Sequence, residues 1–493
     1  MRLLKHSPRK SGVGQDSRLA LFGHGRRAFL QKSSGALLSL CLPLAAADGD
    51  WISVPAILDR VKAPVFPDRQ FQIRAYGAVG DGKTDCTAAF RQAIEACSRT
   101  GGGRVEVSVG DYLTGPIRLK SNVNLHVPAG ATLRFSRDPR QYLPAVYTRW
   151  EGTECMNYSP LIYAFEEENV AVTGEGVLDG QADNEHWWPW CGNARFGWKQ
   201  GEPSQVRARG LLVGMGDKDV PVGERVFGEG SFLRPNFIQT YRCRNVLLED
   251  ITIHSAPMWQ VHPVLSTNVV VRRVKMVSHG PNNDGCDPEC CRDVLIEDCL
   301  FDTGDDCIAI KSGRNRDGRR VAVPSENIVV RRCQMKDGHG GVTIGSEASG
   351  GVRNVFAEDC RMDSPNLDRV LRIKTNSVRG GVIERISMRN VTVGQVADAV
   401  LHVDLFYEEG DKGQFPPVVR DIEMRGVTCG KSNYALYLRG YPSAHIRDIR
   451  LQDCRFDNVA KESVMENVEG LVVGNVRVNG QLWPQPPVMR GPK

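Results

Sequence analysis

Four short segments carry side chains suited to acid–base chemistry. They are Asn282-Asn283-Asp284-Gly285-Cys286-Asp287, Thr303-Gly304-Asp305-Asp306-Cys307-Ile308-Ala309-Ile310-Lys311, Asp337-Gly338-His339-Gly340-Gly341 and Arg372-Ile373-Lys374. Breaking a glycosidic bond needs one group to protonate the departing oxygen and another to activate water or attack the sugar. Asp305 and Asp306 supply a pair, and Asp284 a third carboxylate. Like charges held close cannot all stay ionised, so one is expected to rise into the range of a useful acid. On a strand, Arg372 and Lys374 share a face, two cations for a substrate carboxylate that arginine can grip with two hydrogen bonds. The glycines beside Asp305 and His339 are expected to let a sugar approach the backbone. Taken singly, each segment reads as an ordinary turn or a polar strand face. Their order, one per repeat unit, is what makes them a constellation.

That repeat is the element that must position them. Arg244 to Ile253, Thr267 to Met276, Arg292 to Phe301, Glu326 to Met335 and Arg353 to Met362 are versions of one pattern. Each is a short β-branched run, a polar kink and a second short run. Weaker copies begin near Glu168, Glu384, Arg420, Arg447 and Glu469, about 22 to 36 residues apart in the later part of the chain, a solenoid spacing. No helical periodicity lies between copies, which argues against a sheet with helical crossovers, and the leucine spacing is wrong for a leucine-rich horseshoe. Cys299, Cys333, Cys360 and Cys454 align, as do Asn245, Asn268, Asn327 and Asn354, so asparagines are expected to share amide hydrogen bonds along a ladder. The fold class is therefore all-β: a parallel β-helix, with adjacent coils about 4.8 Å apart bringing distant carboxylates together. Thr84 to about Ser98 reads as a short N-terminal capping helix with Ala89, Phe90, Ala93, Ile94 and Cys97 on its apolar face.

Residues 1–47 read as an export signal: a basic stretch, then Arg26-Arg27-Ala28-Phe29-Leu30, an apolar run and Ala45-Ala46-Ala47. Twin-arginine export, to the periplasm or beyond the cell, is expected, with no membrane contact by the mature form. Residues 48–70 read as a linker, 71–480 as the β-helix, 142–230 as a tryptophan- and glycine-rich insertion, and 481–493 as a tail. A net charge of +5 over 493 residues, with the basic residues dispersed, gives no reason to expect nucleic-acid binding. The 15 cysteines lack tight metal spacing and read mainly as packed thiols. No cofactor or metal is expected, and the chain is read as a monomer.

The ordered set resembles family 28 of the glycoside hydrolases, the polygalacturonases, whose pattern runs Asn-Thr-Asp, Gly-Asp-Asp, Gly-His-Gly, Arg-Ile-Lys. The resemblance covers roughly residues 71 to 479, and Tyr76-Gly77-Ala78-Val79-Gly80-Asp81-Gly82 is similar to the start of that superfamily. It implies a right-handed β-helix and an inverting hydrolysis of α-1,4-galacturonan, an acidic pectic polysaccharide. It further implies Asp305 as general acid, Asp284 and Asp306 as the carboxylates acting on water, and His339 as a helper. Arg372, Lys374, Tyr407 and Asn282 fall at substrate-binding positions. Asn283 stands where threonine is usual, and Cys286 where isoleucine or phenylalanine is common. Pro257-Met258-Trp259-Gln260-Val261-His262-Pro263 is similar to a segment of the bacterial branch, whose members are often exo-acting, and Trp259 and His262 are taken as sugar contacts or packing residues. The alternatives are rhamnogalacturonan or xylogalacturonan hydrolysis, a calcium-dependent pectate lyase on the same fold with Arg372 or Lys374 as base, and a non-catalytic carbohydrate-binding rod.

Overall fold

The computed structural model describes residues 49–484, so the twin-arginine segment and most of the tail lie outside the described residues. The chain winds as a right-handed parallel β-helix. Each coil gives strands to two long sheets, and most coils add a strand to a third. The first two sheets hold 14 strands each, and the third is split into runs of four and six. The recurring unit of the sequence is the first two strands of a coil: Arg292–Glu297, a kink at Asp298, then Leu300–Thr303. The kink is one residue in left-handed conformation (Asp250, Arg273, Asp298, Arg332, Asp359, Asn390), which turns the chain between sheets. Short polar side chains suit that conformation, and the arginines that occupy it pair with the aspartate one coil away: Arg332 Nη2 is 2.8 Å from Asp298 Oδ2.

Inward-facing β-branched residues fill the core, and Val274, Cys299, Cys333, Cys360, Val391, Val427 and Cys454 occupy one buried stack. All 14 described cysteines are unbridged, as packed thiols should be. The asparagine ladder forms as expected: Asn268 donates to Asn245 at 2.7 Å, Asn245 to Asn169 at 2.8 Å and Asn354 to Asn327 at 2.9 Å. Asp293 takes the asparagine place in its coil and accepts from Asn327 at 3.0 Å.

Three expectations need revision. Residues 48–70 are no free linker, because helix α1 (Val54–Arg60) and its flanks lie on the first sheet. There Trp51, Val54, Ile57 and Val61 cover an outward apolar row of Ala171, Leu247, Val270, Leu295, Val329 and Phe356. The capping helix α2 runs Thr87–Arg99, later than Thr84, because Asp81 ties Thr84 into a preceding strand while Asp85 accepts the Thr87 N–H at 2.9 Å. Its apolar face is buried as the sequence indicates. The segment 142–230 is not one insertion: a full coil (Ile162–Phe165, Glu168–Thr173, Val177–Asp179) divides it into two excursions. The first is an antiparallel hairpin, Val146–Trp150 with Thr153–Asn157; the second contains helix α3 (Val206–Asp217). Helix α4 (Asn315–Val321) follows the coil that bears Asp305 and Asp306. Trp150 and Trp187 are buried against the β-helix, Trp187 in the main core and Trp150 with Met258 and Trp259. Among the described residues no helix is long and apolar enough to cross a membrane.

Candidate active site

The third strand of each coil, which the repeat pattern did not reveal, makes the floor of the site. Its register runs Ile308↔Val342↔Leu371↔Leu401, so Thr343, Arg372 and His402 line one outward row. Gly345, Lys374 and Asp404 line a second row. Just before these strands, backbone bonds stack the motif loops: Gly285 N–H donates to Asp306 O at 3.0 Å and Cys307 N–H to Gly340 O at 2.8 Å. Asp284, Asp306 and Gly340 therefore occupy one place in three consecutive coils. Asp284, Asp305 and Asp306 each bring a carboxylate oxygen within 4.8 Å of the others, as the stacked coils predict.

Their surroundings differ. Asp306 is fully buried and takes hydrogen bonds from Lys374 Nζ (2.7 Å), Thr343 Oγ1 (2.9 Å) and Arg372 Nη1 (3.2 Å). Burial alone pushes its carboxyl up, but Lys374 and Arg372 outweigh it and hold Asp306 well below the usual carboxylate range. Asp284 is 3% exposed, its Oδ1 has no partner, and Lys311 Nζ is 3.7 Å from Oδ2. Burial, then the charge of Asp305, drives Asp284 well up. Asp305 is the most open of the three, its side chain 17% exposed against 4% and 0% for Asp284 and Asp306. It accepts from His339 Nδ1 at 3.0 Å and from its neighbour's N–H at 2.9 Å. Burial pushes Asp305 up, yet the His339 hydrogen bond leaves it below its ordinary value, and the same bond raises His339. Of the three carboxyls it is Asp284 that is pushed up, by burial and then by the charge of Asp305 above it.

Arg372 and Lys374 do point to one face, and both are engaged with Asp306. Each keeps N–H donors to spare for a ligand. Tyr407 lies across them, its ring 5.7 Å from the Arg372 guanidinium and 5.4 Å from Lys374 Nζ. Asn282 accepts from Arg234 Nη2 at 2.7 Å. Trp259 and His262 are not brought to the surface. His262 is fully buried, with Nδ1 accepting from Asn236 and Gln239 at 2.9 Å and Nε2 donating to Glu289 at 2.8 Å. Trp259, 3% exposed, packs edge-to-face on it with centroids 4.8 Å apart. Both are packing residues beneath the floor. The glycines are closely packed by the protein itself: a Cβ on Gly340 would meet Thr343 Oγ1 at 2.3 Å and Asp306 Oδ1 at 2.9 Å, and one on Gly304 would meet Gly280 O at 2.5 Å. Asn283 is likewise knitted in, donating to Ala256 O and Met258 O at 3.1 Å, and Cys286 faces the core.

Sequence reasoning missed Arg234 and Lys311. Arg234, fully buried, donates to Pro257 O (2.9 Å), Pro281 O (2.5 Å) and Gln205 Oε1 (3.0 Å), tying the second excursion to the Asp284 loop. Nothing in its neighbourhood signals this. Lys311 falls in the same outward row as Lys374, a signal the register would have given.

A family model for glycosyl hydrolases family 28 matches residues 228–476, half of the chain. The chain belongs to this family. It is thus a glycosidase. A hyperthermoactive exopolygalacturonase from Thermotoga maritima has 48% identity and a TM-score of 0.85, over 87% of this chain and 96% of that one. A probable polygalacturonase of Vitis vinifera is 29% identical, over 81% of this chain and 77% of its own length. An exo-poly-alpha-D-galacturonosidase of Dickeya chrysanthemi is 26% identical, over 83% and 72%. For this family-28 glycosidase the catalytic carboxylates are to be sought among the clustered aspartates, and the rest of the cleft in what surrounds them.

Proposed function

We propose that this enzyme hydrolyses α-1,4-linked galacturonan from a chain end, with Asp305 as general acid and water held by Asp284 and Asp306. The carrying observation is the contrast among the three carboxylates: only Asp305 presents an open side chain, above a floor where Asp306 is locked to Lys374 and Arg372. The departing oxygen meets Asp305, which delivers the proton held by the Asp284–Asp305 pair. Asp306, kept ionised, draws a proton from water. Spare donors of Arg372 and Lys374, beside the Tyr407 ring, suit the carboxylate of a galacturonate unit. The same cations, with Lys311, already neutralise the cluster, which favours hydrolysis over a calcium-dependent lyase.

The chain-end preference is supported by the two exo-acting relatives and by a recess of about 480 Å³ between α3 and the Asp284 loop. Phe196, Arg209, Gly210, Asn282 and Arg314 are among its walls. The segment around Arg26-Arg27 supports twin-arginine export of the enzyme toward its pectic substrate.

Incubating the protein with polygalacturonic acid in chelator tests the reading. New reducing ends, appearing from the start as monomer or dimer without unsaturated sugar, are the expected result. A ladder of products means internal cleavage. Unsaturated product, or loss of activity in chelator, overturns hydrolysis; no product moves the substrate to rhamnogalacturonan or xylogalacturonan, tried next in the same assay.

A further inference from the structure

Lys311 directly follows the third-sheet strand Ile308–Ile310, and its side chain is 3% exposed, too deep to touch substrate. Its ammonium lies 3.7 Å from Asp284 Oδ2, 3.4 Å from Glu347 Oε2 and 3.5 Å from Gly345 O, and 4.5 Å over the Trp259 ring. Glu347 is itself gripped by Arg314 Nη1 at 3.5 Å and Ser346 Oγ at 3.1 Å. A buried ammonium held by one carboxylate below while a second faces the reaction is poised to act through that second one. Trp259, so enclosed, becomes intelligible as the wall that fixes the lysine.

We propose that Lys311 is a positioning residue that decides where the proton of the Asp284–Asp305 pair sits, its charge favouring an ionised Asp284 and a proton on Asp305. This rests on the acid–water assignment above. Glu347 opposes it by drawing the ammonium away and adding a negative charge. The other charged groups facing the pair are Asp306, Lys374, Asp287, His339, Arg372 and Arg234, and Arg379 faces Glu347 as well. Asp287, fully buried with neither carboxyl oxygen hydrogen-bonded, adds to the demand for a cation here.

The two charges predict opposite effects. Removing the ammonium in Lys311→Met makes the pair harder to ionise, so the acid limb of the kcat/KM–pH profile moves up by about one pH unit. Glu347→Gln leaves Lys311 unopposed, so that limb moves down. A merely structural role lowers stability or kcat without moving the limb, and an unmoved limb in a folded variant overturns the proposal. If Lys311→Met does not fold, the direction seen in Glu347→Gln decides alone. Titrating carboxyl carbons by NMR in aspartate-labelled protein reads the same proton without substrate. A wild type inactive on polygalacturonate therefore counts against the substrate and not against Lys311.

Discussion

Lys374 Nζ sits 2.7 Å from Asp306 Oδ2 although the two residues are two coils apart. The pair is almost sealed from solvent, with side-chain exposures of 9% and 0%. A carboxylate so buried stays charged only because Lys374, Arg372 and Thr343 surround it. Removing one partner of such a pair costs about 3–5 kcal/mol in other proteins. Because Arg372 and Thr343 remain, Lys374→Met is expected to lose about 3 kcal/mol in denaturant unfolding. It also removes a charged donor, worth about 10–100-fold in kcat/KM. Unchanged stability means that Asp306 does not depend on this cation.

Stability should peak at mildly acidic pH. The folded Asp306 is held below its ordinary value, so its contribution is complete above about pH 4 and is lost as pH falls toward the folded value. His339 is held above its ordinary value, so its contribution is complete below about pH 6.5 and is lost as pH rises through the folded value. Thermal midpoints across pH check both limbs. In His339→Ala the decline on the alkaline side should shrink while the acid decline stays; a persistent alkaline decline assigns it to another group.

Asp305→Asn keeps the shape of the side chain and removes the acid. The expected loss in kcat is about 10²–10⁴-fold, with the melting point little changed and substrate still bound. His339→Ala is milder, but it takes away the hydrogen bond that lowers Asp305, so the alkaline limb of kcat/KM moves to higher pH. An Asp305→Asn enzyme near wild-type activity removes this residue from the chemistry and returns the acid role to Asp284.

The coil architecture and the clustering of Asp284, Asp305 and Asp306 were legible because a stacked fold repeats its own signals: kink residues, asparagines and core cysteines recur at one place per coil. The third sheet was not, since its strands follow motif loops of varying length and carry chemistry-bearing residues that break the pattern; Ile308–Ile310 leads straight into Lys311. Non-local burial hid the rest. The row position of His262 gave no hint that Asn236, Gln239 and Glu289 would enclose it, and Arg234 became visible only once the second excursion had a path. The glycines of Gly-Asp-Asp and Gly-His-Gly read as room for a sugar, and nothing in the sequence signals how tightly the preceding coil packs on them.

The recess beside Asn282 provides a test of chain-end attack. Gly210 lies on the exposed side of α3, lines the recess, and has no atom within 4 Å of where its Cβ would stand. Gly210→Trp should fold at least as well, since glycine inside a helix costs about 0.5–1 kcal/mol relative to alanine. If the recess receives the chain end, KM for oligogalacturonides rises while kcat changes less. Unaltered KM with a normal melting point puts the end-binding pocket elsewhere.

The stereochemical outcome separates two readings of the carboxylate cluster. Oxygens within 4.8 Å of one another are closer than the separation of about 6.5–9.5 Å usual for inverting pairs, and distance alone would suggest retention through a covalent intermediate. Retention, however, needs a carboxylate that can reach the anomeric carbon. Asp306 has both oxygens engaged and no exposed surface, and Asp284 is 3% exposed. Neither can advance on a sugar as a nucleophile, which leaves water as the attacking group, so inversion follows from access where distance misleads. Proton NMR of the first-formed product should therefore show β-configured galacturonate that mutarotates later. An α-configured initial product would make one of these buried aspartates a nucleophile and would require the floor to open during the reaction.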